Sequence, residues 1–63
     1  MNSGTVKFFN ETKGYGFIIE DGTEKNVFVH VTGLKDQIRN GDAVTFDVIE
    51  GKKGETAVNV QLA

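Results

Sequence analysis

Four of the five phenylalanines and the single tyrosine lie between Phe8 and Phe28, with lysines among them at Lys7, Lys13 and Lys25. Flat π faces interleaved with ammonium groups suit unstacked bases strung on a phosphate chain. A base stacked on an aromatic ring contributes about 1–3 kcal/mol, so a few exposed rings hold a strand without a strongly positive field. Such a field is missing here. Net charge is −2, from seven Lys or Arg against nine Asp or Glu, so local stacking and not global attraction has to carry recognition.

This chemistry requires the rings to face water, and side-chain parity along β-strands decides whether they do. From Asn26 to Val31 the residues Val27, Val29 and Val31 share one face, and Phe28 and His30 share the other. Burying the valines leaves a phenylalanine and an imidazole outside. From Tyr15 to Glu20, Tyr15, Phe17 and Ile19 alternate with Gly16, Ile18 and Glu20. If these two strands are hairpin neighbours, Tyr15 and Phe17 stand beside Phe28 and His30, an exposed apolar patch of the kind that marks a binding surface. Phe46, alternating with Val44 and Val48, reads instead as ordinary core. In the first strand, strict alternation places Phe8 on the same face as Val6, so its exposure requires a bulge or a strong twist. Phe9, on the Lys7 side by parity, is the complementary candidate, and both are retained.

The elements that must position these residues are short strands. Thr5–Asn10, Tyr15–Glu20, Asn26–Val31, Ala43–Glu50 and Thr56–Leu62 are rich in β-branched and aromatic residues, and polar or glycine-containing turns separate them. Asp21-Gly22 is a hairpin signal. In the last strand Val58, Val60 and Leu62 are expected on one side, opposite Ala57, Asn59 and Gln61. Thr32–Asp42 is irregular, with Leu34 and Ile38 placed to cap an open end. Five strands in 63 residues favour closure, because closure removes exposed edges. The expected architecture is one all-β domain over residues 1–63, a small five-stranded antiparallel barrel, with an SH3-like barrel as the rival on strand count. With no Cys and one His, neither a disulfide framework nor a zinc site can be assembled. No apolar run has the length of a membrane span, and the N-terminus has no signal-peptide pattern. A cytoplasmic protein without cofactor or metal is the expectation.

Lys13-Gly-Tyr-Gly-Phe-Ile18 resembles the first ribonucleoprotein-type motif of bacterial cold-shock proteins, and Val27-Phe-Val-His-Val31 resembles the second. Gly4-Thr-Val-Lys-Phe-Phe-Asn10 is similar to that family's opening strand, and Gly41–Val60 follows its last two strands. The resemblance implies an OB-type barrel that binds single-stranded RNA and DNA and acts as an RNA chaperone or a regulator of transcription or translation, and pyrimidine-rich strands, which unstack at the lowest cost, are expected to bind best. A monomer is expected. By the same resemblance Phe8, Tyr15, Phe17, Phe28 and His30 take the stacking positions, and Lys7, Asn10, Lys13 and Lys53 the polar ones. The chain departs from the family pattern by carrying Phe8 where Trp is usual, Val31 where an aromatic commonly closes the second motif, and no aromatic between Thr32 and Asp42.

Other chemistries fare worse. His30 has no Cys beside it, and the single Ser lies at Ser3 near the terminus, so nucleophilic catalysis has no basis and an enzyme is not expected. Gly14-Tyr-Gly16 lacks the Lys-Ser/Thr pair of a phosphate loop. Glu20-Asp-Gly-Thr-Glu24 lacks the ligand spacing of a calcium loop. The serious alternative is a protein-interaction barrel whose aromatic patch receives a peptide, yet a peptide groove has no general need of the surrounding lysines.

Overall fold

A computed structural model describes residues 2–51 and 54–63. Five strands, β1 (Asn2–Asn10), β2 (Tyr15–Glu20), β3 (Asn26–His30), β4 (Ala43–Gly51) and β5 (Gly54–Leu62), close into a barrel in the order β1-β2-β3-β5-β4. A single 3-10 turn, Val31–Gly33, follows β3. Every pairing is antiparallel except the closing one, where β3 and β5 run parallel through Phe28 opposite Thr56 and Val29 opposite Ala57. That short contact covers the edge β3 would otherwise expose.

Inward-facing Val6, Ile18, Val27, Val29, Val44, Phe46, Ala57 and Val60 form the core, and Ile38 from the irregular segment joins them, each at most 1% exposed. Leu34 packs against the same cluster. The segment between β3 and β4 thus plugs one end of the barrel with Leu34 and Ile38.

Three expectations from the sequence fail here, each for a local reason. Asn59 has φ 54°, a left-handed conformation that asparagine tolerates better than most residues. The kink brings Ala57 and Val60, three apart, both into the core and puts Val58 out of step with Val60, while Leu62, the last residue of the strand, is 49% exposed, so the expected Val58–Val60–Leu62 face does not form. Val31 is 47% exposed, because the chain leaves the sheet after His30 and enters the 3-10 turn. The Asp21-Gly22 signal lies in a five-residue loop between Glu20 and Asn26, not in a two-residue turn. Gly22 and Glu24 both take positive φ there, and the Glu24 and Glu20 N–H groups donate to the Glu20 and Lys25 carbonyls, each at 2.9 Å.

Gly16 is the residue through which the fold sets up the site. It is buried opposite Phe9 on β1, and a β-carbon there would run into the Phe8 carbonyl oxygen and stand 2.7 Å from Phe9 Cα. Both obstacles are backbone, which no rotamer change relieves. Gly16→Ala is therefore expected to destabilise the domain by about 1–3 kcal/mol, the range of an overpacked interior, lowering its melting temperature by at least about 5 °C. Thermal unfolding followed by circular dichroism checks this, and an unchanged midpoint would show that β1 and β2 separate easily.

Candidate nucleic-acid interface

The first strand carries the bulge that exposure of Phe8 requires. Val6 pairs with Ile18 but Phe8 pairs with Phe17, so Lys7 is an extra residue on β1 with no partner on β2. One added residue inverts side-chain parity beyond it. Val6 points into the core before the bulge, and after it Phe9 packs against the core while Phe8 joins the outer face.

On that outer face the β2–β3 register places Tyr15 opposite His30 and Phe17 opposite Phe28. The four rings make one contiguous surface. Phe8 lies 5.6 Å from Phe17 and 6.3 Å from Tyr15, the latter edge to face. Tyr15 stacks on Phe28 at 6.0 Å with 20° between planes, and Phe17 meets Phe28 edge-on at 5.8 Å. All four rings are half-buried: their edges rest on one another, and parts of their surfaces remain open to solvent. An open groove of about 730 Å³ runs over them, lined by Lys13, Tyr15, Phe17, Phe28 and His30. Offset and edge-on contacts among rings are themselves favourable, so the platform is held in shape before any ligand arrives.

At one end of the groove the exposed His30 is oriented by its own chain. Its Nδ1 accepts the Thr32 backbone N–H at 3.3 Å and lies 3.0 Å from Thr32 Oγ1, so His30 caps the 3-10 turn. With Nδ1 accepting, Nε2 carries the ring proton and is the nitrogen available to a ligand. Lys7 and Lys13 are exposed, Lys13 lining the groove and Lys7 on the bulge beside Phe8. Lys25, further along, is exposed in the β2–β3 loop.

Two residues named from the sequence sit differently. Phe9 does not join the other rings: it faces Gly16 and packs on the core, because the bulge exchanges the parities that strict alternation gives Phe8 and Phe9. Asn10 is occupied in the turn that follows β1, its Oδ1 accepting the Lys13 N–H at 3.0 Å and its carbonyl the Gly14 N–H at 2.8 Å. Its side chain fixes where Lys13 stands. Lys53 lies outside the described residues. Sequence reasoning passed over Thr32, which orients His30, and Asn40, whose Oδ1 accepts the Phe9 N–H at 2.9 Å. The adjacent Asn40-Gly41 pair is a turn signal, but nothing local to it says which strand it meets.

Comparison with known proteins agrees with this geometry. Residues 2–63 match the family model described as the 'Cold-shock' DNA-binding domain. The chain is 47% identical to the cold shock protein ScoF of Streptomyces coelicolor, over 95% of this chain and 96% of that one. It is 44% identical to a cold shock-like protein of Aquifex aeolicus, over 94% of this chain and 90% of that one. A similar level, 46%, holds against Y-box-binding protein 1 of Xenopus laevis, where 90% of this chain corresponds to 22% of the longer protein.

Proposed function

Since the chain belongs to the cold-shock domain family, and so is a nucleic-acid-binding domain, we propose that it binds single-stranded RNA and DNA by stacking bases on Phe8, Tyr15, Phe17 and Phe28. One observation carries this reading: four rings stand in mutual contact on the outer face of β1–β3, where a stable core has no use for them. His30 adds a further planar group at the groove's end. Lys7 and Lys13 supply charge for the phosphates, and the proposal extends this role to Lys53. Asn10 contributes through the turn that places Lys13.

A duplex offers its base faces to neither strand's surroundings, whereas a single strand offers every one. Pyrimidine-rich strands bind best in this account because they unstack at the lowest cost. The domain acts as a monomeric binding module in the cytoplasm, without catalysis, and its effect on RNA is to hold bases apart that would otherwise pair, as a chaperone or a regulator of transcription or translation does. Among the described residues no helix is long and apolar enough to cross a membrane.

Competition between single-stranded oligothymidine and a duplex of the same length tests the proposal. The expected result is displacement of labelled oligothymidine by unlabelled single strand at concentrations at least about tenfold below those at which duplex competes, the factor for about one stacked base. Equal competition by duplex would remove the stacking mechanism. Displacement by a proline-rich peptide at comparable concentration would favour a peptide groove instead.

A further inference from the structure

The orientation of Phe8 depends on a register shift in β1, and the other edge of that strand shows what holds the shift in place. β1 pairs with β4 only as far as Thr5 opposite Ala43. Beyond that point its edge is taken over by the turn that precedes β4. The Val6 N–H donates to the Asp42 carbonyl at 2.9 Å, and the Val6 carbonyl accepts the Gly41 N–H at 2.8 Å. In an unbulged strand the next N–H to face this edge belongs to the residue two further on, Phe8. The N–H found there is that of Phe9, three further on, and its acceptor is the side-chain oxygen of Asn40 at 2.9 Å. The turn itself is pinned, with the Arg39 N–H on Asp42 Oδ2 at 2.8 Å and Gly41 at φ 87°.

We infer that Asn40 is a positioning residue for the binding surface: by accepting the Phe9 N–H it holds β1 in the bulged register, which turns Phe9 inward and presents the Phe8 ring to the ligand. Asn40 acts through the backbone of β1, by the hydrogen bond to the Phe9 N–H. The inference rests on the reading of Phe8 as part of a stacking platform, and the experiment separates the two.

Oligothymidine affinity is measured for the parent chain, Asn40→Ala, Phe8→Ala and the double variant, and the ring-proton shifts of Tyr15 are recorded without ligand. Tyr15 meets the Phe8 ring edge to face at 6.3 Å, so its shifts report where that ring stands. Asn40→Ala is expected to weaken binding about threefold to tenfold, the factor for one lost hydrogen bond, and to move the Tyr15 shifts in the direction that Phe8→Ala moves them. In the Phe8→Ala background, Asn40→Ala should cost nothing further, because coupled residues are non-additive. Asn40→Asp keeps an acceptor and, in about 0.3 M salt where its added charge is screened, should bind within about twofold of the parent. Independent, additive losses with unmoved Tyr15 shifts would overturn the role of Asn40 while leaving the platform standing. Phe8→Ala binding as tightly as the parent would instead remove Phe8 from the platform, and this inference with it.

Discussion

Phe46→Ala is expected to remove about a third or more of the domain's folding stability. Phe46 is the largest fully buried side chain, with no exposed surface, and its ring fills the middle of a core otherwise built from Val, Ile and Ala. Truncating a buried phenylalanine costs about 3–5 kcal/mol, the lost transfer energy together with the cavity left behind. A domain of this size has a total stability of roughly 3–9 kcal/mol at the usual value per residue. Set against each other, these ranges make the loss about a third of the margin at the least and all of it at the most. Urea unfolding followed by circular dichroism measures it, and a loss below about 1 kcal/mol would mean that the barrel does not depend on this ring.

Phe28→Ala should do the opposite. Phe28 is half-buried, on a strand whose flanking Val27 and Val29 have no exposed surface, so the core is complete without it. Its truncation forfeits ring contacts to Tyr15 and Phe17, a loss on the order of 1 kcal/mol in stability. Its effect on affinity for a single strand should be larger, about 1–3 kcal/mol or roughly 5-fold to 150-fold in dissociation constant. Phe46 and Phe28 are the same residue type within one small domain. Only the face of the sheet on which each lies separates them, and if Phe28→Ala were to destabilise as much as a core truncation while binding held, the face assigned to β3 would be wrong.

What the sequence made legible was the part of the fold that parity alone controls. Val27 and Val29 against Phe28 and His30, and Ile18 against Tyr15 and Phe17, are regular strands with one apolar and one aromatic face, and hairpin pairing joins them as expected. Legibility ended where a strand departs from period two. Phe8 and Phe9 are adjacent and chemically identical, so only the extra residue at Lys7, held by Gly16 on one side and Asn40 on the other, determines which of them faces out. The left-handed Asn59 likewise redirects β5, and no pattern of hydrophobicity announces a single positive φ. The partners of Asn10 and Asn40 lie beyond local reading for a different reason. An asparagine side chain takes whichever backbone group the fold brings to it, and for Asn40 that group is 31 residues away. The parallel contact between β3 and β5 follows from closure, a property of all five strands together.

The most direct measurement of whether bases stack on this surface uses the absence of tryptophan. Tyr15 is the only tyrosine and there is no Trp, so intrinsic emission comes from a ring in the centre of the proposed platform, stacked on Phe28 and touching Phe8. Oligothymidine is titrated into the protein while tyrosine emission and, in parallel, binding by anisotropy of a labelled strand are followed. Emission should fall in proportion to the fraction bound, because a base laid against the ring quenches it, and Tyr15→Phe should keep most of the affinity, since the π face and not the hydroxyl makes the contact. Saturated binding with Tyr15 emission unchanged would contradict it, by placing the strand on another face of the barrel.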